Sequence, residues 1–466
     1  NNKSTTYKSY VLKNNNEDKM NRLKKLMDTH EINYAAAKKG VVKGYDYSNQ
    51  KDGRMNISSK DIVISTQQPK GKMVKVLFEP NATLSDSLTY DITAWSLPYA
   101  HGFKAIASKN KIATTVVSPG IFQQNKEDLS AYAYVSKWNS IEDATFLSQL
   151  LKANIKVRFT EKKFTTEGNT YLPGTLIILR NDNKNLPEFD KKLIEIANQL
   201  GRKSTPVASG FVSSGVDFGS YLVKSINKQN VAVISGKGVS SLSFGEIWHF
   251  FETQLQYPLT VLDTDYLDRV DLSTIDVLIV PNGYYSSDFN VSKLKSWARK
   301  GGTLIAIGNA LRNFADSDKF ELKSKKLIEE TLINSALIPY HERERKGIEN
   351  MITGSVFKSV LDVTHPMAYG YDNHYFSLKL SARSYEYLEN GHNIAYFDEN
   401  AVNISGFAGR KALKNIPESL LFGEEKTGSG SVIYMVDNPL FRSFWEHGKL
   451  FFANAVFLTN SDKMRL

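Results

Sequence analysis

The sequence predicts an α/β protein in which two small α/β units precede a larger domain with a doubly wound parallel sheet. Three observations support this prediction. One order of apolar patterns occurs twice in the first half, short apolar strands alternate with helices from about residue 230 onward, and 466 residues exceed one ordinary domain. We therefore expect a first unit over residues 1–125, a second over 126–225 and a third over 226–466.

The order that occurs twice is helix, strand, irregular excursion, strand and proline-started segment. In the first copy, Leu23 and Met27 lie on one helical face, strands are expected over 32–34 and 61–64, and Pro69 precedes another apolar stretch. This spacing is typical of a compact unit in which helices cover one face of a small sheet.

The second copy has the same order. A helical face covers 146–151, strands are expected over 155–157 and 175–179, and Pro187 precedes a helix over 189–200. Proline suits the first turn of a helix, where its missing N–H is not needed. The two copies together predict an internal duplication.

The third region changes pattern at about residue 230. Strands are expected over 231–235, 259–262, 275–280 and 303–307, and helices over 244–255 and 291–299. Such alternation indicates parallel strands joined by right-handed crossovers. A β-rich insertion is expected at about 312–430, after which a strand over 431–436 and a helix over 440–457 complete the sheet.

Composition excludes several classes of function. The chain has no cysteine, which excludes disulfides, zinc–thiolate sites and thiol nucleophiles. The net charge of +10 is spread along the chain without a nucleic-acid-binding motif, so we expect no nucleic-acid partner. We also expect no membrane span, because no apolar run approaches the roughly 18 residues that one requires. The chain begins at Asn1 without a signal peptide, and we expect a mature fragment of a longer protein.

The strings "IDVLIVPNG" and "GGTLIAIGNA", in this order of elements, resemble the class I glutamine amidotransferase-like fold, which is flavodoxin-like. In catalytic members of that family, a cysteine lies on a tight turn after a strand. The matching turn here is Gly308-Asn309-Ala310. An amide side chain has no proton to lose near neutral pH, so we expect no catalytic residue at this turn.

A crevice at the carboxyl ends of the strands remains able to bind a ligand. Each candidate residue also suits an ordinary turn, so the two interpretations stand side by side. The residues expected to line the crevice are Gly236, Ser240, Asn282, Gly283, Asn309 and Asn438.

Longer strings resemble large zinc-carboxypeptidase-like proteins of the Bacteroidetes type. They include "QPKGKMVKVLFEP", "DITAWSLPYAHG", "GEIWHFFETQLQYP", "THPMAYGY" and "VDNPLFRSFWEHGKLFFANAVF". The resemblance is to the region downstream of the peptidase domain. It implies an extracytoplasmic location, which is periplasmic, surface or secreted, and an upstream peptidase domain as partner. It also implies that zinc belongs to that upstream domain and that this chain holds no cofactor.

Three functions follow as hypotheses. The first is a non-catalytic accessory region, which acts as a scaffold or binds a ligand and positions the peptidase domain. Formation of a homo-oligomer is one way of positioning it. The second is a zinc carboxypeptidase within the chain itself, because a His-x-x-Glu pair is the start of a zinc site. That pair is His249 and Glu252, with His365 or His374 as a further ligand and Glu424 or Glu446 as base. The third is a small-molecule or sugar-binding module that uses the crevice.

Overall fold

The computed structural model describes residues 6–81, 92–117, 120, 122–326 and 339–460. Part of the predicted insertion, residues 327–338, lies outside the described residues. Within the described ranges the chain is a mixed α/β protein whose strands form four sheets.

The first unit is built on an antiparallel sheet. Its elements are β1 (Ser9–Leu12), α1 (Glu17–Thr29), β2 (Tyr34–Ala37), β3 (Gly40–Asp46), β4 (Lys51–Ile57), β5 (Ile62–Ser65), α2 (Gly71–Phe78), α3 (Leu97–His101), β6 (Ala105–Ser108) and β7 (Thr114–Thr115). The strand order is β4-β3-β6-β1-β5-β2-β7. Helix α1 begins where the Asn16 side chain accepts a hydrogen bond from the Lys19 N–H, and it buries Met20, Leu23 and Met27.

The second unit has two antiparallel sheets. Its elements are β8 (Ala133–Ser136), α4 (Ile141–Lys152), β9 (Val157–Thr160), β10 (Phe164–Thr166), β11 (Asn169–Tyr171), β12 (Leu176–Leu179), α5 (Phe189–Gln199), β13 (Thr205–Val207), β14 (Ser214–Gly215) and β15 (Val223–Ile226). The main sheet has the order β13-β8-β12-β9-β15, and the small one β11-β10-β14. Phe164, Tyr171 and Phe218 join a separate apolar cluster with the outer face of the main sheet.

Both units share one topology. In the first, β1, α1, β2, β5, α2 and β6 follow one another along the chain, and their strands lie in the order β6-β1-β5-β2. In the second, β8, α4, β9, β12, α5 and β13 give the order β13-β8-β12-β9. Each unit is thus a β-α-β-β-α-β fold of the ferredoxin-like kind, with strands in the order fourth, first, third, second. The predicted pattern omitted the opening strands β1 and β8, which are only four residues long and buried throughout.

The third region contains a ten-stranded sheet within the described residues. Its elements are β16 (Val231–Ser235), α6 (Ser241–His249), β17 (Thr260–Asp263), β18 (Val277–Val280), α7 (Val291–Arg299), β19 (Thr303–Ile307), α8 (Tyr340–Ile348), β20 (Ser355–Leu361), β21 (His374–Lys379), β22 (His392–Phe397), β23 (Asn403–Ser405), α9 (Arg410–Leu413), β24 (Ser419–Thr427), β25 (Gly430–Met435) and α10 (Glu446–Phe457). Strands β17-β16-β18-β19-β25 are parallel neighbours in that order.

This sheet is mixed, so the prediction of a parallel sheet holds for only half of it. Strands β24 and β25 form a hairpin in which Thr427 pairs with Gly430, and Gly428 has φ +57° in the turn. A hairpin requires antiparallel strands. The sheet therefore continues antiparallel through β24, β22, β20 and β21, with β23 beside β20. The insertion extends the sheet and does not form a separate one.

Two helices differ from the prediction. The helix expected over 244–255 begins with Ser240 as its cap, ends as an α-helix at His249, and continues as a π-helix over Phe250–Leu255. The helix expected over 440–457 begins only at Glu446. Arg442 and Ser443 have φ values of +47° and +52°, which no helix accommodates. These changes depend on contacts with distant loops, which the local pattern does not contain.

The three regions share one hydrophobic core, in which α10 is almost entirely buried. Asn454 in this helix accepts a hydrogen bond from the Trp138 indole N–H at 2.8 Å. Its amide group also donates to the carbonyl groups of Met367 and Tyr369, both at 2.9 Å. A fully buried amide with every partner satisfied fixes the second unit against the third.

Arg202 fixes the second unit against the first. Its guanidinium forms two 2.6 Å hydrogen bonds with the Asp18 carboxylate and one of 3.2 Å with Asp143.

We expect Arg202→Met to lower the free energy of unfolding by about 2 kcal/mol, because two partly buried carboxylates lose their counter-ion. Urea unfolding would measure this loss. The control is Arg158→Met, since Arg158 forms a similar fork with Asp182 inside one unit. Equal losses in both variants would contradict a role for Arg202 between the units.

Candidate ligand-binding site

The carboxyl ends of β16, β18, β19 and β25 open onto a crevice of about 350 Å³. Carboxyl ends of parallel strands meet at one edge of a sheet, so loops from distant parts of the sequence converge there. The segment after β21 closes the other side. Polar side chains in the wall are Ser240, Ser243, Glu246, Asn282, Asn309, Ser381, Arg383, Tyr385, Asp437, Asn438 and Arg442.

The structure brings together four of the six predicted residues: Ser240, Asn282, Asn309 and Asn438 line the crevice. The other two predicted residues, Gly236 and Gly283, support its loops. A Cβ atom on Gly236, whose φ is +89°, would lie 2.6 Å from the Asp263 carboxylate. A Cβ on Gly283 would lie 2.3 Å from the carbonyl oxygen of Gly238. Gly236 is favoured by its positive φ and by the nearby Asp263 side chain, and Gly283 by the close approach of the Gly238 backbone.

Asn282 connects three of the loops. Its carbonyl oxygen accepts a hydrogen bond from the Ser240 N–H at 3.0 Å, and its own N–H donates to Ser243 Oγ at 3.1 Å. Its side-chain oxygen accepts from the Asn309 N–H at 2.8 Å. The side-chain NH₂ groups of Asn282 and Asn309 form no hydrogen bond with the described residues, which leaves both available to a ligand.

The turn at Gly308-Asn309-Ala310, which the sequence resemblance predicts as the position of an amidotransferase nucleophile, has a relaxed backbone at Asn309. Residues Gly308–Asn313 form a 3₁₀-helix, and the positive φ of +61° falls on Gly308. A nucleophile elbow instead places the strained conformation on the nucleophile itself. The Asn309 N–H is also already bonded to Asn282. Both the side chain and the backbone of this turn therefore differ from those of a catalytic elbow.

Glu246 is a site residue that the sequence analysis missed. One carboxylate oxygen accepts a hydrogen bond from Asn438 Nδ2 at 2.5 Å, and the other accepts from the Arg442 N–H at 2.6 Å. Burial raises the pKa of Glu246, although these two hydrogen bonds oppose the rise. The carboxylate thus holds the loop after β25 in place and also faces the crevice.

Two further buried groups lie beside the crevice. The Asp437 carboxylate forms a 3.0 Å ion pair with Lys379 and accepts a 2.7 Å hydrogen bond from Ser377 Oγ. The Tyr385 side chain is fully buried, and its hydroxyl has no hydrogen-bond partner of normal geometry. Burial raises the pKa of Tyr385 to about 12, while the neighbouring Arg383 guanidinium lowers it by less. Lys379, Arg383 and Tyr385 come from the insertion, and no spacing in the sequence relates them to the strand ends. Asp437, by contrast, follows the end of β25.

The residues of the alternative zinc site have other partners. His249 is exposed near the end of α6, where its ring lies within hydrogen-bond distance of Thr253, Gln254 and Ser443. Glu252 is also exposed and lies in the π-helix.

His365 and Glu424 form a separate pair, with 3.0 Å between His365 Nε2 and the Glu424 carboxylate. Burial opposes ionisation of Glu424, but His365 and Lys426 outweigh it and lower the pKa to about 2. Glu446 pairs with Arg22 and Lys449. Among the described residues, no three histidine or carboxylate side chains form a group that could hold a metal ion. In the same ranges, no helix is long and apolar enough to cross a membrane.

Comparisons with known proteins extend only to weak structural similarity. No family model matches the chain, and no curated protein matches it, so neither supplies a zinc carboxypeptidase relative. A putative GMP synthase component from Thermoplasma acidophilum is 12% identical, with a TM-score of 0.32 over 49% of this chain and 92% of that one. A glutamine amidotransferase from Thermotoga maritima is 9% identical, with a TM-score of 0.27 over 45% and 76%.

A β-galactosidase from Bacillus circulans sp. alkalophilus is 13% identical, with a TM-score of 0.30. That match covers 50% of this chain and 31% of the β-galactosidase, so the chain spans about a third of the enzyme's length. The structural neighbours of this mixed α/β chain thus include glutamine amidotransferase-like folds, at weak similarity.

Proposed function

We propose that the chain is a non-catalytic binding module whose crevice takes a small, neutral, hydroxyl-rich molecule such as a sugar. The observation that carries this proposal is the convergence of amide and hydroxyl side chains on one crevice around the buried hydroxyl of Tyr385, which lies beside Arg383 but has no hydrogen-bond partner of normal geometry. A buried polar group without a partner is costly, and a ligand hydroxyl would satisfy it.

The charges in the wall favour a neutral ligand. Two arginines, Arg383 and Arg442, face two carboxylates, Glu246 and Asp437, and Asp437 is already paired with Lys379. Amide groups such as Asn282 both donate and accept hydrogen bonds, as sugar hydroxyls do. A volume of about 350 Å³ is at the lower end of small-molecule sites and suits one sugar ring.

Asn309 supports a role in binding without catalysis. Its amide side chain is neither an acid nor a nucleophile near neutral pH. Such a module suits an accessory region of a larger extracytoplasmic protein, as the sequence resemblance to zinc-carboxypeptidase-like proteins implies. A zinc-peptidase domain encoded upstream in the same reading frame would support that setting, and an unrelated upstream sequence would remove it.

Tyr385→Phe provides the test of the crevice. The variant removes only the unpartnered hydroxyl, so its stability should equal or exceed that of the unmodified chain. Its affinity for a bound sugar should fall about five- to ten-fold, because one hydrogen bond is lost. Calorimetric titration with glucose, galactose, N-acetylglucosamine and inositol would measure this change.

Tyr266→Phe is the matched control, since Tyr266 is 59% exposed and lies outside the crevice. It should leave the affinity unchanged. If none of the four compounds bound, or if Tyr385→Phe bound them as tightly as the unmodified chain, the proposed function would be wrong.

A further inference from the structure

A second cavity, of about 630 Å³, lies where the three regions meet. Lys19 comes from the first unit, Trp138 from the second, and Tyr371 and His447 from the third. It shares no lining residue with the crevice. Since each region contributes to its wall, it exists only when the three regions are assembled.

The wall of this junction cavity carries excess positive charge. Three lysines, Lys19, Lys104 and Lys137, face a single carboxylate, that of Asp372. The Asp372 carboxylate lies 3.0 Å from Lys104 Nζ, so this lysine already has a counter-ion. Lys19 and Lys137 form no ion pair with the described residues, which leaves two positive charges uncompensated.

Lys19 is the more informative of these two lysines because it is partly buried. Its ammonium lies 5.9 Å from the centroid of the Tyr371 ring and forms no hydrogen bond with the described residues. Burial lowers the pKa of Lys19, and Asp372, Glu446 and Glu142 oppose this only through space. Removing an ammonium from water without a counter-ion is costly, and a bound anion would reduce that cost.

Two histidines, His374 and His447, line the same wall and carry no charge near neutral pH. His447 Nδ1 accepts a hydrogen bond from the Phe376 N–H at 3.3 Å, which places the ring proton on Nε2. Burial lowers the pKa of His447 well below its usual value, and burial with nearby Lys358 lowers that of His374 to about 4. Both rings therefore remain neutral near pH 7, and neither competes with Lys19 for an anion's charge.

The aromatic side chains in the rest of the cavity wall favour an organic ligand with a ring. Aromatic side chains, among them Phe103, Trp138 and Tyr371, line the cavity. A phosphate dianion is usually held by a guanidinium fork or a free helix N-terminus. The described wall contains no arginine, and helix α1 carries Glu17 and Asp18 in its first turn. These features favour a singly charged carboxylate over phosphate.

We infer that the junction cavity binds a small organic carboxylate, with the Lys19 ammonium as its counter-ion and the aromatic side chains around its ring. This inference does not depend on the crevice, and the two sites are distinguishable by mutation. Tyr385→Phe should leave carboxylate binding unchanged, and a Lys19 variant should leave sugar binding unchanged.

The test is calorimetric titration of the full chain with benzoate and nicotinate, which carry no sugar hydroxyls that the crevice could take. Benzamide, nicotinamide and inorganic phosphate serve as comparisons. We expect at least one carboxylate to bind and its neutral analogue to bind at least ten-fold more weakly. Lys19→Gln should weaken carboxylate binding by about ten-fold, since one charge-assisted contact is lost. The control, Lys25→Gln, lies on the exposed side of the same helix and should have no effect.

Folding does not confound this experiment. Lys19→Gln removes an unpaired, partly buried charge, so thermal unfolding should show equal or higher stability. The inference would be overturned if neither carboxylate bound, if Lys19→Gln bound as tightly as Lys25→Gln, or if phosphate bound more tightly than both carboxylates. Unchanged sugar binding in Lys19→Gln would at the same time leave the crevice proposal intact.

Discussion

Replacing Lys379 by methionine is expected to lower the free energy of unfolding by about 3 to 5 kcal/mol, because it leaves the Asp437 carboxylate buried without a counter-ion. The side chains of Lys379 and Asp437 are only 2% and 5% exposed, and 3.0 Å separates Nζ from the carboxylate. Ser377 Oγ donates the other hydrogen bond to Asp437 and cannot replace a positive charge. Urea unfolding at neutral pH would measure the loss.

A second substitution separates the lost ion pair from lost packing. In Lys379→Met with Asp437→Asn, no buried charge remains and Ser377 keeps an acceptor, so most of the stability should return. The matched control is Lys323→Met, because Lys323 and Glu389 are 2.8 Å apart but 52% and 71% exposed. That change should leave the free energy of unfolding nearly unchanged, because water already solvates both charges. A similar loss for both lysines would show that burial of the pair is not decisive.

Acidification from pH 7 to 4.5 is expected to lower the free energy of unfolding by about 4 kcal/mol, chiefly because His101, His374 and His447 stay largely neutral in the folded chain. Burial lowers the pKa values of His101 and His374 to about 4, and it lowers that of His447 as well. In the unfolded chain these rings bind protons below about pH 6.5. The unfolded state therefore takes up more protons between pH 6.5 and 4, and stability falls as the pH falls.

The buried carboxyl of Asp143 has the opposite effect on how the free energy of unfolding changes with pH. Burial raises the pKa of Asp143 to about 6, so the folded chain takes up this proton before the unfolded chain does. That group adds stability as the pH falls from about 6 toward 4 and offsets one histidine. Glu246, whose pKa burial also raises, acts in the same direction as Asp143, whereas Glu424, whose pKa is lowered to about 2, acts in the opposite direction. The three histidines therefore still decide the sign, and acidification causes a net loss of stability.

His101→Phe isolates one contribution. Its ring stacks on Phe103 with centroids 5.6 Å apart, and its Nδ1 atom has no hydrogen-bond partner, so phenylalanine should be tolerated. The acid-induced loss should shrink by about 2 kcal/mol in this variant. His30→Asn, on an exposed residue, should follow the unmodified chain. Equal stability at pH 7 and 4.5, or no change in His101→Phe, would contradict this account.

Parts of the fold were predictable because their signals are local. The strand expected over 231–235 coincides with β16, and that over 303–307 coincides with β19. A short run of aliphatic residues bounded by glycine or polar residues is typical of a buried strand. The same locality explains the errors. The mixed character of the large sheet depends on the β24–β25 hairpin, and the late start of α10 depends on the strained backbone at Arg442.

The residues of the candidate site also fall into two groups, those that the sequence predicted and those that it did not. Ser240, Asn282, Asn309 and Asn438 were predictable because each directly follows a strand or caps the next helix, and parallel strands end at one edge. Glu246 was not predicted, because its carboxylate accepts hydrogen bonds from Asn438 and Arg442, which are far from it in the sequence. Arg383 and Tyr385 lie in the insertion, and nothing in their neighbourhood along the chain relates them to the crevice.

Residue type and short-range spacing are enough to establish the α/β class, the recurring order of elements and the strands of the parallel half of the large sheet. Three other features arise only when the chain folds: the ion pair of Lys379 with Asp437, the unpartnered Tyr385 hydroxyl and the junction cavity around Lys19. These depend on which groups lose their water when distant segments pack together, and burial of that kind is a property of the assembled chain.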